Sequence, residues 1–312
     1  MAETVYKTSD GREFSTKDST LAKASAENWQ AQLDSNNSKG SSTSGGNHYV
    51  KINMGGGATY EGTASGRLIE GTGKYTYANG DVYEGQFHNN KKHGKGIYTF
   101  KNGDIYEGEY IEGEYHGKGK YTWADGTVYE GNFTNNAPTG KGKKTFANGN
   151  AYEGDFVDWS PHGKGKMTYA SGNVYDGDWV NGEPNGKGKM TYANGNVYEG
   201  DLVNGFPNGK GKMTLKNGNV YEGDYIYFKD KNTSQTHGKG KMTWANPKVC
   251  KEFEGNYVNS KKKGKGKYKL TDGRTFEGDF DGNGNATGTM TYPNGKTEQG
   301  MWDDNNDVFT AK

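Results

Sequence analysis

Apolar and polar residues alternate with a period of two in short runs that recur along most of the chain. From Gly186 to Tyr192 the odd positions are Gly, Gly, Met and Tyr, and the even positions are Lys, Lys and Thr. From Tyr198 to Leu202, Tyr, Gly and Leu alternate with Glu and Asp. Such alternation predicts β-strands that have one apolar face and one charged face.

The two runs belong to a unit that repeats every 23 residues. A Tyr-Glu-Gly triplet, once Tyr-Asp-Gly, begins at eight evenly spaced positions, which are Tyr60, Tyr83, Tyr106, Tyr129, Tyr152, Tyr175, Tyr198 and Tyr221. Phe253 and Phe276 continue the series after one insertion, and a degenerate copy at Glu298 closes it. A fixed period of this length indicates a tandem array of one supersecondary unit.

Each unit is predicted to be a β-hairpin. Asn194-Gly195 separates the two runs, and an Asn-Gly or Asp-Gly pair recurs at this place in most copies. This dipeptide is typical of a tight hairpin turn. The other connection, residues 203–208, contains Pro207 and predicts a longer surface loop. We therefore expect antiparallel hairpins that pair into one sheet, with the aromatic positions buried and the Lys and Glu positions exposed.

The full pattern resembles the MORN repeat family. It reads Tyr-Glu-Gly-x-aromatic, a polar loop, Gly-x-Gly-x-x-x-aromatic and Asn-Gly, and it covers about residues 50–302 in about eleven copies. The resemblance implies an all-β repeat fold, an elongated single-layer antiparallel sheet with a gentle twist and an aromatic-lined groove. It also implies a scaffolding role, often at membranes or cytoskeletal structures.

In that family the aromatic and glycine positions are architectural. The matching positions here are Tyr83, Gly85, Phe87, Tyr106, Gly108, Tyr129, Gly131, Tyr152, Gly154, Tyr175, Gly177, Tyr198, Gly200, Tyr221 and Gly223.

The sequence divides into four regions. Residues 1–34 predict a small hairpin followed by a helix, which either covers the first strand of the array or binds a partner. Residues 35–48 are rich in Ser, Gly and Asn and predict a flexible linker. The array spans 49–302, with an irregularity at 226–251 that is expected to cause a bulge or bend and to split it. Residues 303–312 are expected to form an acidic tail.

Composition and net charge exclude several classes of fold and of binding partner. The apolar content is 29% and the mean hydropathy is −1.11, so an ordinary globular core is hard to build and a repeat architecture is favoured. The net charge of +1 argues against a nucleic-acid partner. The single cysteine excludes an internal disulfide. Without a long apolar run or an N-terminal signal sequence, a cytoplasmic location is expected, with membrane or cytoskeletal association left open.

No constellation of residues indicates catalysis, a cofactor or a metal ion. His93, His116, His162 and His237 are expected in loops about 10 Å apart, too far for one metal ion. Asp303, Asn305 and Asp307 resemble only the first half of a calcium loop. The repeated Gly-Lys-Gly lies in a predicted strand and does not match a phosphate-binding loop. We therefore expect no enzymatic activity and no cofactor.

Three functions remain open from the sequence. A protein-interaction scaffold with an unidentified protein partner is preferred. The alternatives are a peripheral membrane module that binds anionic phospholipid and a targeting subunit for an enzyme on another chain. The candidate lipid contacts are three lysine clusters, which comprise Lys91, Lys92, Lys141, Lys143, Lys144, Lys261, Lys262 and Lys263. The final strand predicts either a monomer or a weak C-terminal homodimer, which the acids of 303–307 oppose.

Overall fold

The computed structural model describes residues 6–7, 13–14 and 46–312, and all regular secondary structure in these ranges is β-strand. Strand β1 (Tyr6–Lys7) pairs antiparallel with β2 (Glu13–Phe14). The helix predicted within residues 15–33 lies outside the described residues, as does most of the predicted linker.

The array falls into two compact units. Of the described residues, unit 1 comprises those up to 149 and residues 156–159, and unit 2 comprises residues 150–155 and 160–312. The strands of unit 1 are β3 (His48–Gly55), β4 (Ala58–Ser65), β5 (Leu68–Thr76), β6 (Val82–His88), β7 (Lys91–Thr99), β8 (Ile105–Ile111), β9 (Glu114–Thr122), β10 (Val128–Thr134) and β11 (Ala137–Thr145). Strand β12 (Ala151–Val157) has residues in both units.

The strands of unit 2 are β13 (Ser160–Thr168), β14 (Val174–Val180), β15 (Glu183–Thr191), β16 (Val197–Val203), β17 (Phe206–Thr214), β18 (Val220–Phe228), β19 (Thr233–Thr243), β20 (Cys250–Val258), β21 (Lys261–Leu270), β22 (Thr275–Asp281), β23 (Asn285–Thr291), β24 (Thr297–Asp303) and β25 (Val308–Ala311). From β3 to β11 and from β13 to β25, each strand pairs antiparallel with the next strand in the chain. The predicted all-β array of hairpins is therefore confirmed.

The two kinds of turn are the reverse of the prediction. The turn at Asn204-Gly205 contains only two residues, and both have positive φ (50° and 80°), as a type I′ turn requires. The turn around Asn194-Gly195 spans five residues, 192–196, and the Gly195 amide donates to the Tyr192 carbonyl (2.9 Å). The prediction was wrong because the repeat at residues 186–208 contains two Asn-Gly pairs, and the dipeptide alone does not fix the loop length.

The core of a repeat is a tyrosine ring that lies over two glycines. Tyr198 is fully buried, and a Cβ on either Gly200 or Gly211 would clash with its ring or hydroxyl. These two glycines pair across β16 and β17. The Tyr198 hydroxyl donates to the Asp201 carbonyl (2.7 Å), which satisfies the buried polar end of the ring. The same bond recurs in the preceding repeat from Tyr175.

Aromatic rings of successive repeats pack edge to face. In unit 2, Tyr225 contacts Tyr198 (centroids 5.4 Å apart, 89°) and Tyr221 (5.3 Å, 83°). In unit 1, Phe133 lies in the same way against Tyr106 and Tyr129. These rings are buried or nearly so. These two aromatic positions thus form a filled core between neighbouring repeats, whereas the ring that precedes the Asn-Gly turn, such as Phe100 or Tyr192, is only partly buried.

The irregularity at 226–251 does not split the array. The six additional residues extend the β18–β19 hairpin, in which Phe228 pairs with Thr233, and β19 pairs with β20 in regular register. The register shifts between Cys250 and Glu252, which is the bulge expected beyond Pro247. Both strand pairs lie inside unit 2. The inserted residues continue the ladder instead of interrupting it.

Residues 303–312 form a hairpin and not a tail. Strand β25 pairs with β24 from Val308 to Ala311. In the turn between them, the Asp304 carboxylate binds the Lys262 ammonium through both oxygens (3.0 and 2.8 Å). The acidic turn lies against β21 because Asp304 forms an ion pair with the partly buried Lys262.

Candidate interaction groove

On the exposed face of unit 2, the charged residues that flank the central glycine of a strand share one sign in every strand from β13 to β22. Five strands each have a Lys-Gly-Lys triplet, and the two lysines flank a glycine whose missing side chain belongs to the opposite, aromatic face. These lysine pairs are Lys164 and Lys166 on β13, Lys187 and Lys189 on β15, Lys210 and Lys212 on β17, Lys239 and Lys241 on β19, and Lys265 and Lys267 on β21. The strands between them carry carboxylates, as Glu199 and Asp201 do on β16.

A groove crosses the strands of unit 2 on this face. It has a volume of about 1590 Å³ and is lined by residues of β16 to β23. Its floor is a row of paired glycines that begins with Gly211, Gly223 and Gly240 and continues to Gly288. At most of these positions the side-chain direction is toward the aromatic rings of the other face, so backbone lies along the floor while Lys and Glu side chains form the walls. We call this surface the charged groove.

Ion pairs between neighbouring strands order many of the wall residues. The Lys210 ammonium lies 2.5 Å from an Asp224 oxygen, Lys265 lies 3.1 Å from Asp279, and Lys267 pairs with Glu277. These lysine and acidic side chains are partly or largely exposed, so each pair contributes only about 0.2–1 kcal/mol. The lysine pairs are therefore held in place without being locked to their intramolecular partners.

The acids beside the groove are held in their charged form. Burial alone would raise the pKa of Asp224, but hydrogen bonds from the Lys210 side chain and the Lys239 amide outweigh it and lower that pKa. The hydrogen bond and charge of Lys189 lower the pKa of Glu199. The alternation of positive and negative strands therefore persists at neutral pH.

Unit 1 has a smaller groove of the same construction. It measures about 1020 Å³ and is lined by residues of β7 to β11, with Gly96, Gly108, Gly119 and Gly131 along its floor. Ile97 takes the place of the second lysine on β7 and is 43% exposed. This substitution makes the unit-1 groove less charged than the charged groove of unit 2.

The structure turns one lysine of each predicted lipid-binding cluster toward the aromatic face. Lys92 lies over the Tyr98 ring (4.7 Å) and Lys144 over the Trp123 ring (4.6 Å). Burial lowers the pKa of Lys144. Lys91 points outward and pairs with Glu112 (2.6 Å), and Lys141 and Lys143 are exposed.

In the third cluster, Lys262 is the inward residue, while Lys261 and Lys263 are exposed. Besides Asp304, the Lys262 ammonium contacts the Tyr268 hydroxyl and lies 5.1 Å from the Phe253 ring centre. Strand alternation thus divides each of the three clusters between two faces of the sheet, and no cluster presents all of its lysines to one surface.

The other candidate residues show no catalytic arrangement. The four histidines expected in loops lie on strands β7, β9, β13 and β19, because the tight turns end before them. Cys250 is buried, donates to Asp307 (3.3 Å), and has its pKa raised by burial. Within residues 46–312 and the two short N-terminal strands, no group of His, Cys, Asp or Glu could hold a metal ion. The same part of the chain contains no helix able to span a membrane.

Family comparison agrees with the repeat geometry. The MORN repeat profile matches nine segments, at residues 68–82, 83–105, 106–128, 129–151, 152–174, 175–197, 198–220, 235–246 and 253–273, together more than half of the chain. The chain belongs to the MORN repeat family. Every one of these repeats from 83 to 220 begins with the tyrosine that lies over the glycine pair, so the match and the core describe the same unit.

Comparison with solved structures gives only distant similarities. The TCP10 domain of Danio rerio CPAP, in complex with a peptide of STIL, has a TM-score of 0.38 and 14% identity, covering 85% of this MORN chain and 100% of that domain. The TCP domain of Drosophila melanogaster dCPAP, in complex with a proline-rich motif of Ana2, has a TM-score of 0.32 and 15% identity, covering 58% and 92%. No curated protein sequence matches the chain.

The charged groove was not found by sequence reasoning, although its signal is present. The Lys-Gly-Lys triplets recur with the repeat, and we interpreted them as a solvated outer face. Only the paired registers show that their glycines form one continuous row, flanked by lysines on every second strand.

Proposed function

We propose that this MORN repeat protein is a non-catalytic scaffold that binds a protein partner through the charged groove of unit 2. The observation that carries the proposal is the groove itself, a continuous open channel across eight strands with a bare backbone floor and regularly placed charges. A concave surface with ordered polar groups suits recognition of an extended ligand. A cytoplasmic location and the absence of a cofactor belong to the same proposal.

Affinity capture with groove variants tests this proposal. The full chain and a Lys210→Glu/Lys239→Glu variant serve as baits, and mass spectrometry identifies the proteins retained. We expect at least one protein that the native chain retains and the variant loses. A Lys216→Glu/Lys248→Glu variant, altered at exposed lysines outside the groove, is the matched control. Equal retention by all three baits would contradict a role of the groove.

Two measurements test the alternative functions, which are binding to a membrane surface and targeting of an enzyme on another chain. Co-sedimentation with vesicles containing phosphatidylserine, compared with phosphatidylcholine alone, measures anionic lipid binding at low salt. Of the candidate clusters, Lys141, Lys143, Lys261 and Lys263 are exposed and could make such contact. Absence of binding at low salt would remove the lipid hypothesis. An enzyme retained by the native chain and lost by the groove variant would identify the scaffold as a targeting subunit.

A further inference from the structure

We infer that Asn283 is a site of spontaneous deamidation, and that its conversion to aspartate or isoaspartate loosens the C-terminal hairpin. The inference does not depend on the charged groove, whose lining does not include residues 281–284. It follows from a comparison of the eleven Asn-Gly pairs in the chain. The fold restrains ten of these pairs and leaves one unrestrained.

Asn-Gly is the dipeptide in which asparagine most readily loses its side-chain amide. The main-chain nitrogen of the glycine loses its proton and attacks Cγ of the asparagine, the bond from Cγ to Nδ2 breaks, and ammonia leaves with a proton from solvent. Water then opens either carbonyl of the resulting succinimide, which gives aspartate or isoaspartate. Glycine favours the attack because it has no side chain and reaches the required backbone angles. The reaction therefore needs a free glycine amide and an Asn side chain that can turn toward it.

The fold restrains the glycine of ten pairs. Eight glycine amides donate to a main-chain carbonyl, and these belong to Gly80, Gly103, Gly149, Gly182, Gly195, Gly205, Gly218 and Gly295. Gly186 and Gly209 lie inside the β15–β16 and β17–β18 strand pairs. A nitrogen that is held in a hydrogen bond or a strand pair must be released by local opening before it can attack.

Hydrogen bonds also hold the asparagine side chain in most of the pairs. The Oδ1 atom of Asn294, for example, accepts from the Lys296 amide (3.0 Å). Seven of the eleven side chains accept a main-chain amide in this way, and they are those of Asn79, Asn102, Asn185, Asn194, Asn208, Asn217 and Asn294. Each such bond keeps Cγ in place and is a second contact that the reaction must break.

Asn283-Gly284 has neither restraint. It lies in the bend between β22 and β23, and within residues 46–312, which contain all eleven pairs, the Gly284 amide donates no hydrogen bond and the Asn283 side chain forms none. The side chains of Asn283 and Asn294 are both exposed, so exposure does not distinguish the two pairs. The bend is held instead by Asp281, whose Oδ1 accepts from the main-chain amides of Asn283 (2.6 Å) and Asn285 (3.1 Å). Asn283 is therefore the pair in which the attacking nitrogen and the side-chain amide are both free.

The product would act on the C-terminal hairpin. The Gly284 carbonyl accepts from the Asp304 amide in the β24–β25 turn (2.8 Å), and a Cβ atom on Gly284 would clash with the Asn305 side chain. Isoaspartate adds one carbon to the main chain directly before Gly284, and either product places a second carboxylate close to Asp281. Because both changes disturb the bend, the hydrogen bond between Gly284 and Asp304 should weaken.

Peptide mapping after incubation in a mildly alkaline buffer tests the site. One tryptic peptide, residues 275–296, contains both Asn283 and Asn294, so fragment masses compare the free pair with a restrained pair in the same molecule. We expect the folded full chain to deamidate at least about fivefold faster at Asn283 than at Asn294, where two hydrogen bonds must first break. Equal rates at the two positions, or no reaction at Asn283, would overturn the inference.

The same measurement in urea separates structure from local sequence. Unfolding releases every glycine amide, so Asn283 and Asn294 should then react at rates within about twofold of each other. If Asn283 remains much faster than Asn294 in urea, its reactivity comes from neighbouring residues and not from the fold, and the inference fails.

Hydrogen exchange tests the effect on the hairpin. In the aged native chain, the Asp304 amide should exchange about three- to tenfold faster than in the fresh chain, because its hydrogen bond to Gly284 is weakened. Asn283→Gln is the matched control, since the longer side chain does not readily close the ring and the substituted side chain forms no hydrogen bond in the described part of the chain. Equal exchange in the aged native chain and the aged Asn283→Gln variant would overturn the inference. Neither result bears on capture of a partner by the charged groove, so the proposed function stands or falls separately.

Discussion

Tyr198 lies flat against Gly211 of the neighbouring strand, so close that a Cβ atom on Gly211 would stand 2.3 Å from the tyrosine hydroxyl oxygen. The same relationship recurs between Tyr175 and Gly188. A buried ring and a glycine thus form one structural unit, in which neither residue can be replaced independently of the other.

The first prediction concerns this unit. Gly211→Ala should destabilise the protein by about 1–3 kcal/mol, because the added methyl overlaps the ring and the backbone must shift. In the double variant Tyr198→Ala/Gly211→Ala, the methyl fits into the space left by the ring, so the two costs should be less than additive. Urea unfolding of the four proteins gives the coupling energy. If the destabilisation of the double variant equals the sum of the two single variants, Tyr198 and Gly211 are not in the close contact described.

The second prediction compares the two faces. Tyr152→Ala removes a fully buried ring and should cost about 3–5 kcal/mol. Lys164→Ala removes an exposed ammonium paired with Asp178 and should cost less than about 1 kcal/mol. Thermal melts followed by circular dichroism measure both. Equal shifts in melting temperature would refute the assignment of faces.

The third prediction concerns alkaline pH. Burial raises the pKa of Tyr129, Tyr175 and Tyr221 to about 12, whereas an unfolded tyrosine ionises near 10. The neutral phenols stabilise the fold fully below pH 10, and this contribution is lost as the pH rises from 10 through 12. Phenolate absorbance should therefore lag behind that of free tyrosine and rise together with unfolding. If all tyrosines ionise near pH 10 while the protein remains folded, the phenol groups are not buried as described.

The fourth prediction concerns the C-terminal hairpin. Asp304→Ala leaves the Lys262 ammonium, only 20% exposed, without its carboxylate and should cost about 3–5 kcal/mol. Lys262→Met/Asp304→Leu removes both charges and should restore most of that stability. Asp272→Ala, which breaks the exposed pair with Arg274, is the control and should cost less than about 1 kcal/mol. If the double variant is no more stable than Asp304→Ala, the ion pair is not the cause.

The fifth prediction concerns self-association. Strand β25 pairs with β24 through four residues, and we expect any homodimer to form by strand addition at this C-terminal edge. Its affinity should be weak and sensitive to salt, since Asp303 and Asp307 of two copies would approach each other. Truncation after Gly295 should abolish such a dimer, whereas removal of residues 1–47 should preserve it. Light scattering that shows a dimer after the C-terminal truncation would contradict this arrangement.

Much of the fold followed from local pattern. The alternation around Tyr198 predicted strands and their faces, and the period of 23 predicted the hairpin array. Both are local properties, because a strand places alternate side chains on opposite faces wherever it lies. The lengths of the two turns were assigned in reverse, because Asn-Gly occurs at both ends of the hairpin and the choice depends on strand register.

The sequence by itself determined the repeat unit, its buried aromatic positions and its family, since each of these depends only on the pattern within a 23-residue repeat. Only the tertiary structure decided that rings such as Tyr198 fill the space between repeats and that the open groove lies on the charged face. It also placed Asp304 on Lys262, 42 residues away, and so converted the expected acidic tail into a hairpin. The reason is that the groove and the Lys262–Asp304 ion pair depend on the pairing of many strands, which no single repeat contains.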